Sequence, residues 1–440
     1  FIKEGKNNKL RASDIKRIAD TFIKRESVPK FSRVVSREEI RSNDYNLNIP
    51  RYVDSSEAAE HWDVYASMFG GIPTAEIEEL GEFWTAFPAL KKALFTESGI
   101  PYVNVSVDDI KSAIKSHPDV VGFEDAFNAA FSTFPAFLKE ELIDRMESIE
   151  ISKAETVLSA DIFERLKDIP LIDKYAAFQL LDDDWTGISI DLEVLQTEGF
   201  SATKEVDPNL VIKKKDGKDQ EVQEGWVGHI IPFDLVQATL LSAETDELHG
   251  LESRLAEIPS EYESILDEMT EEDKESCNDV LTEEGDAFVP KEVSKKIKEM
   301  KKDRSPESVA LRTLLEKVES LVKNEKEIKA EIKAKGAALQ AKTKDTIESL
   351  SDEQALDLLE KKWIAPLIES IHKLPDTVID SLVSKIQALQ NKYATTFFEV
   401  EQQISETEAT LSGMIDDLEG NEYDMLGLNE LKKLLGGSAE

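Results

Sequence analysis

The last third of the chain is dominated by apolar residues at alternating steps of three and four, a spacing that strongly restricts its fold. A first series follows Ser305 and Pro306, where serine suits a helix N-cap and proline suits the first helical position. Its members are Leu311, Leu314, Val318, Leu321, Ile328, Ile332 and Leu339. A second series comprises Ile379, Leu382, Ile386, Leu389, Tyr393, Phe397, Val400, Ile404, Thr407, Leu411, Met414 and Leu418. This heptad spacing predicts two long helices, each with one apolar edge.

The two series flank residues 351–376, which predict the helices that turn the first long arm back toward the second. A capping box from Ser351 to Gln354 starts this connection. The result is an antiparallel, coiled-coil-like arm, with a stutter between Tyr393 and Phe397 that unwinds the supercoil locally. Two interpretations stay open. The arm is either a self-contained hairpin, or a two-helix surface on which a helix of a partner packs as the third.

Charge is unevenly distributed and limits what the surface contacts. The formal net charge of −37 repels nucleic acid and anionic membranes over most of the surface. Residues 1–55 hold 13 Lys+Arg against 8 Asp+Glu, so this segment is expected closest to any DNA. Residues 243–286 hold 17 acids against 2 bases, and residues 291–346 hold 16 bases against 10 acids. Such blocks usually mark solvated faces.

Several classes of site are excluded by composition. Cys277 is the only cysteine, which rules out a disulfide framework and a thiolate metal site and is typical of a reducing cytoplasm. No apolar run approaches ~18 residues, so we expect no membrane span. The histidines have no partner at four-residue spacing, which argues against zinc. They are His61, His117, His229, His249 and His372.

Residues 56–290 predict aromatic-rich helices with one β element. Phenylalanines recur at helical steps, which indicates core packing and not a ligand cage. Examples are Phe123, Phe127, Phe131 and Phe134. A hairpin is expected to pair residues 210–214 with residues 221–231 across the turn Asp216-Gly217.

Residues 1–55 predict the order helix, strand, short helix, strand. The helix has Ser13 as N-cap and carries the apolar stripe Ile15, Ile18, Ala19 and Phe22. Residues 33–35 form a short β run, and a capping box from Ser36 to Glu39 starts the second helix. Residues 43–54 alternate polar and apolar side chains, which predicts a polar strand at the edge of a sheet.

Catalytic motifs are absent. The stretch Asn48-Ile49-Pro50-Arg51-Tyr52 resembles the Asn-Pro-Pro-Tyr tetrapeptide of amino-group DNA methyltransferases only superficially, because isoleucine and arginine replace its two prolines. Gly70 and Gly71 follow no strand and predict a turn. No phosphate-binding loop occurs.

Despite these absences, the chain resembles the modification (M) subunits of type I restriction-modification systems. The first block runs from "FIKEGKNNKL" to "SNDYNLNIPRYVD" and resembles the segment after their catalytic core. The second block includes "LSDEQALDLLEKKWIAPLIESI", "IQALQNKYATTFFEVEQQISETEATLSGMIDDLEG" and "YDMLGLNELKKLL", and resembles their carboxyl-terminal region. The resemblance implies an adenine-N6 DNA methyltransferase that uses S-adenosylmethionine. Its glycine-rich cofactor loop and Asn-Pro-Pro-aromatic site lie upstream of the part that this chain matches.

The expected fold is mainly α and multi-helical. It has a small α/β remnant at residues 1–55, a helical middle domain with a minor β-hairpin at residues 56–290, and a long helical hairpin, coiled-coil-like, at residues 291–440. Because the chain starts at Phe1 and lacks the catalytic motifs, we expect a fragment with no catalytic, cofactor-binding or metal-binding residue. S-adenosylmethionine then belongs to the full-length parent.

The resemblance also implies partners in a cytoplasmic complex. Two M subunits flank one specificity (S) subunit, a restriction (R) subunit joins for cleavage, and DNA is contacted through the whole complex. We expect the arm to dock on the S subunit through a seam formed by Leu382, Ile386, Leu389, Phe397 and Ile404. The residues expected nearest DNA or the methylase edge are Tyr45, Asn46, Asn48 and Arg51.

Two alternatives belong to other classes. A free-standing helical scaffold would ignore a specificity subunit, whereas a docking module would bind it. An enzyme with an acidic site in residues 56–290 would cluster carboxyl groups of strongly raised pKa in a deep pocket.

Overall fold

The structure is a computed structural model that describes residues 2–56, 61–97, 101–215, 218–282, 284–301 and 305–435. The fold is mainly α-helical with small sheets, as the sequence predicts. Its α-helices are α1 (Ala12–Lys24), α2 (Arg37–Ser42), α3 (Val64–Phe69), α4 (Thr74–Glu78), α5 (Gly81–Ala86), α6 (Leu90–Leu94), α7 (Ile110–Lys115), α8 (Pro118–Phe131), α9 (Phe134–Leu138), α10 (Ile151–Arg165), α11 (Lys174–Glu198), α12 (Phe233–Thr239), α13 (Ser242–Glu268), α14 (Glu271–Ser276), α15 (Pro290–Met300), α16 (Pro306–Glu348), α17 (Asp352–Leu359), α18 (Ala365–His372), α19 (Leu374–Lys392), α20 (Phe397–Asp416) and α21 (Glu422–Leu435). No helix in these ranges is both long and apolar enough to cross a membrane.

The strands form three small antiparallel sheets. They are β1 (Ile2–Glu4), β2 (Asn7–Lys9), β3 (Ile72–Pro73), β4 (Phe95–Glu97), β5 (Tyr102–Val105), β6 (Val206–Lys215) and β7 (Lys218–Gly228). β1 pairs with β2, β5 lies between β3 and β4, and β6 pairs with β7. The last pair confirms the predicted hairpin, with Leu210 opposite Gln223 and Lys214 opposite Asp219. The turn predicted at Asp216-Gly217 lies outside the described residues.

The chain divides into two compact units. The first comprises Phe1–Glu140, Glu150–Gly187 and Pro366–Glu440, and the second comprises Glu141–Ile149 and Ile188–Ala365. In the first unit, the apolar face of α19 is buried among α4, α5, α6 and α7. This core includes Ile77, Phe87, Leu90, Ile114, Ile379, Leu382 and Ile386. The predicted phenylalanines Phe123, Phe127, Phe131 and Phe134 of α8 and α9 are also buried, which confirms that they form core.

In the second unit, the 43-residue helix α16 confirms the first heptad series as one long helix. The Ser305 side chain accepts the Ser308 N–H and Pro306 is the first helical residue, as predicted. The apolar edge of α16 packs on α13 and α15. Residues of this core include Ile265, Leu266, Val293, Ile297, Leu311, Leu315 and Val318. The predicted series contains Leu314, which is only partly buried, whereas its neighbour Leu315 is fully buried.

Both strands predicted within residues 33–54 are wrong. Residues 33–36 have no regular structure, and residues 43–54 form turns with a 3₁₀ turn at Ile49–Arg51. Asp44 and Tyr45 both adopt the left-handed region, with φ of 55° and 58°. Asn46 Oδ1 then accepts the Asn48 N–H at 2.9 Å. Local bonds of this kind give the backbone an alternative to a sheet ladder.

The second heptad series is not one continuous helix. α19 ends at Lys392 and α20 begins at Phe397, so the predicted stutter is a complete break. A capping box causes it: the Glu399 N–H donates to Thr396 Oγ1 (3.1 Å), and the Thr396 N–H donates to Glu399 Oε2 (2.9 Å). These two bonds satisfy backbone donors that a continuous helix would have satisfied internally.

Candidate functional site

The break between α19 and α20 is anchored by a buried polar contact. Lys392 Nζ lies 2.9 Å from Glu76 Oε2, and the Tyr393 hydroxyl donates to the same carboxylate. The Asp63 N–H donates to the Tyr393 hydroxyl oxygen (3.1 Å). Burial raises the pKa of Tyr393, which keeps the phenol protonated as a donor. The start of α20 is therefore fixed to the core of the first unit.

Beyond this anchor, α20 presents its apolar edge to solvent. We call this edge the α20 stripe, and define it as Phe397, Val400, Ile404, Leu411 and Met414 of the helix together with Leu418, which lies just after its end. These side chains are between 38% and 63% exposed. Ile415, on another face, is buried, and Asp416 pairs with Lys432 of α21. The helix thus packs on α3 and α21, while the side chains of the stripe stay about half exposed among the described residues.

The predicted seam residues separate into two groups. Leu382 and Ile386 are fully buried in the core of the first unit, and Leu389 packs against the same core. Phe397 and Ile404 lie on the α20 stripe and are 61% and 53% exposed. Only the second group is accessible on this structure.

The surface around the α20 stripe is acidic. α20 contains five acidic residues and no Lys or Arg. The longer stretch of residues 393–431 contains ten acidic residues and no Lys or Arg. The apolar edge is therefore framed by one sign of charge.

A second uncovered apolar surface lies on α1, whose polar face is the one that contacts the rest of its unit. The N-cap predicted at Ser13 is wrong, because Ser13 lies inside α1 and is buried. Its N–H donates to Gln179 Oε1 (3.0 Å). The Tyr175 hydroxyl donates to Asp20 Oδ2 (3.3 Å). The helix begins at Ala12 because the Asp14 carboxylate accepts the Arg11 N–H, and that bond holds the pKa of Asp14 well below its usual range.

The opposite face of α1 carries the predicted apolar stripe. Its large side chains are exposed by 47% to 81%, and they are Ile15, Ile18, Phe22 and Ile23. Part of this face lines a groove of about 970 Å³ together with Phe31 and Val34. We call this face the α1 surface. An amphipathic helix with its apolar face in solvent is typical of a segment that packs on another body.

The predicted DNA-proximal residues lie in the loop after α2, where they bond to neighbouring residues of the same segment. Arg41 Nε donates to the Tyr45 hydroxyl (3.2 Å), and Arg51 Nη1 donates to Asn43 Oδ1 (3.3 Å). The Tyr52 hydroxyl donates to the Asn46 carbonyl. Hydrogen bonds within the loop therefore hold it in shape, and Tyr45 is 62% exposed.

A group of carboxyl groups with raised pKa values lies on α10 and α11. Burial, followed by neighbouring carboxylates, raises the pKa values of Glu155, Asp182 and Asp184 on α10 and α11. Lys16 of α1 acts in the opposite direction on the pKa of Glu155. In the described ranges, no group of three or more His, Cys, Asp or Glu side chains is arranged to hold a metal ion.

Comparison with known proteins defines the class of the amino-terminal segment. Residues 1–61 match the family model described as N-6 DNA Methylase. This match includes α1, α2 and the loop that holds Tyr45 and Arg51. The α20 stripe lies outside it.

The particular relatives are methylase subunits of type I restriction enzymes, so the resemblance inferred from the sequence is confirmed over a short stretch. The chain is 34% identical over 64 residues to the "Type I restriction enzyme MpnII methylase subunit" of Mycoplasma pneumoniae, covering 14% of this chain and 12% of that one. It is 42% identical over 77 residues to the MjaVII methylase subunit of Methanocaldococcus jannaschii, covering 17% and 13%. The MjaVIII methylase subunit of the same organism is 42% identical over 59 residues, covering 13% and 10%. No solved structure matches.

Proposed function

We propose that this chain is part of the modification subunit of a type I restriction-modification system, an adenine-N6 DNA methyltransferase in its complete form. The observation that carries the proposal is the match of residues 1–61 to the N-6 DNA Methylase family, together with stretches of 59 to 77 residues that resemble three type I methylase subunits. The aligned stretches span only 10% to 13% of those relatives, so activity and partners of the whole protein belong to this proposal.

The α1 surface supports a role beside the methylase domain. Its exposed side chains form an apolar face within the matched segment, and covering them removes apolar area from water. In this proposal the methylase domain covers the α1 surface. The neighbouring loop with Tyr45, Asn46, Asn48 and Arg51 then lies at the edge of that domain, on the side nearest DNA.

The described residues do not fit S-adenosylmethionine. Their sheets are small and antiparallel, so none provides the parallel strand, glycine-rich turn and helix that hold a nucleotide-type cofactor. We therefore assign cofactor binding and methyl transfer to the catalytic domain of the parent. No catalytic step is assigned to the residues described.

The α20 stripe is proposed to dock on the specificity subunit and so to position the methylase domain on DNA. Phe397 and Ile404 supply exposed apolar contact. Leu382, Ile386 and Leu389 serve the same function indirectly, because they hold α19 in the core from which α20 extends. A second modification subunit and the restriction subunit complete the proposed complex.

Co-purification with the cognate specificity subunit tests this proposal. We expect the chain to capture that subunit, and Ile404→Glu to abolish capture because a charge would be buried in an apolar interface. Ile190→Glu is the matched control. The side chain of Ile190 on α11 is 57% exposed, a fraction similar to the 53% of Ile404, and it does not belong to the stripe. Failure of the unaltered chain to bind, or equal binding by Ile404→Glu, would contradict the proposal.

A further inference from the structure

We infer that the α20 stripe binds a basic amphipathic helix, one with a heptad series of apolar residues flanked by Lys and Arg. This deepens the proposed function and rests on it in one respect, since it assigns that helix to the specificity subunit.

The first support is the way the same chain covers its other heptad edge. α13 contains nine acidic residues and one Arg, and its apolar residues Ile265 and Leu266 pack with Leu315 of α16. Three of the acidic side chains of α13 pair with lysines of α16. Pairs between the two helices are Glu268 with Lys317, Glu247 with Lys335, and Glu244 with Lys342. An acidic helix here is covered by a helix that supplies lysine.

The second support is the arrangement of charge beside the α20 stripe. With Ile404 and Leu411 at position a of the heptad, Glu401 and Glu408 fall at position e, which borders the seam. Position g holds the uncharged Gln403 and Thr410 within α20 and Asp417 just after its end, and no basic residue occupies either position between residues 397 and 418. Residues at e and g set the choice of partner in helix pairs. The stripe therefore favours a partner with Lys or Arg along the border that carries Glu401 and Glu408.

The same charges disfavour a second copy of this chain as the occupant. Two α20 helices would bring two acidic surfaces together with no base on either side, and like charges across an interface cost free energy. The partner must also be long enough. The 20 residues of α20 extend roughly 30 Å as a helix, which calls for about three heptads in the partner.

Designed peptides of three heptads test this inference on the full chain. One has Leu at a and d and Lys at e and g; the second replaces those Lys with Glu; the third scrambles the order of the first. Binding is followed by fluorescence anisotropy at low and high salt. We expect the ordered basic peptide to bind at least tenfold more tightly than either of the others, and to weaken as salt rises.

Variants of the chain make the test specific to the stripe. Leu411→Glu is expected to weaken binding of the basic peptide at least tenfold, whereas Ile190→Glu binds like the unaltered chain. The double change Glu401→Lys and Glu408→Lys should shift preference toward the acidic peptide. Circular dichroism of each variant confirms that the helices are retained.

Three results would overturn the inference: equal binding of the scrambled basic peptide, equal binding of the acidic peptide, or dimerisation of the chain through the stripe in sedimentation experiments. Its failure is distinct from failure of the proposed function. If the specificity subunit is captured but the basic peptide does not compete, the inference fails and the function stands. If the peptide binds and the subunit does not, the stripe's preference stands and the function fails.

Discussion

The helices α16 and α20 follow the same heptad pattern but differ in what covers it. On α16, Leu311, Leu315 and Val318 are buried against α13 and α15. On α20, the residues of the stripe face solvent. The difference shows that a heptad pattern predicts an apolar helix edge. It does not predict whether that edge packs on another helix of the same chain or stays exposed.

Charge distinguishes the two cases. α16 contains nine Lys or Arg, of which three lysines pair with acidic side chains of α13, whereas α20 contains none. The acidic and basic blocks of residues 243–286 and 291–346 are therefore more than solvated faces, because they meet as α13 and α16. Around α20, the ion pair between helices is Asp416 with Lys432 of α21, and Glu401 and Glu408 beside the stripe have no such counterpart among the described residues.

The largest expected effect separates the covered edge from the exposed one. Leu315→Ala should lower the free energy of unfolding of the second unit by about 2–5 kcal/mol, because it removes a fully buried side chain and leaves a cavity. Leu411→Ala, the same change on the stripe, should stay within about 0.5 kcal/mol. Urea unfolding of both variants measures this. Similar losses for the two would mean that α20 is covered in solution.

A smaller effect is expected at the break that creates α20. Thr396→Ala removes the side-chain oxygen that accepts the Glu399 N–H, and should cost the first turn of α20 about 1 kcal/mol. Hydrogen exchange of the α20 amides reports this as lost protection. Ser351→Ala is the matched change at the capping box of α17, where the loss should stay confined to α17. Unchanged exchange in α20 would show that tertiary contacts alone define its start.

The smallest effect concerns the β-hairpin that packs on α16. His229 Nδ1 lies 2.6 Å from Asp207 Oδ2, and this hydrogen bond raises the pKa of His229 above its ordinary value. A raised pKa stabilises the folded state fully below about pH 6.5, and this contribution is lost as pH rises through the higher folded value. We expect about 0.5 kcal/mol, given partial exposure.

The control for this pH dependence is His229→Gln, which cannot titrate. Stability of the unaltered chain should fall between about pH 6 and pH 8 relative to that variant. Parallel pH profiles of stability for the two proteins would show that the His229–Asp207 contact does not stabilise the hairpin that packs on α16.

The elements that repeat a strong pattern could be predicted from the sequence. The helix at α16, its cap at Ser305 and the hairpin of β6 and β7 all follow from spacing and turn chemistry. The strand predicted over residues 43–54 failed because asparagine side chains bond to the nearby backbone, a local choice that alternation does not reveal.

Exposure could not be predicted from periodicity, because the same spacing describes a buried and an uncovered edge. This is why Leu382 and Ile404 were expected in one seam, although one is core and the other faces solvent. A signal was present in the sequence: no Lys or Arg occurs in residues 393–431. The exposure of the α1 surface likewise could not be predicted from the sequence. Only the structure shows that the polar face of α1 packs inward through Ser13.

Hydrogen–deuterium exchange of the chain with and without the cognate specificity subunit tests the central claim most directly. We predict that the subunit slows exchange across residues 397–418, while exchange across α16 stays unchanged because its edge is already covered. A complex that forms and leaves residues 397–418 unprotected would contradict the assignment of the α20 stripe as the docking surface.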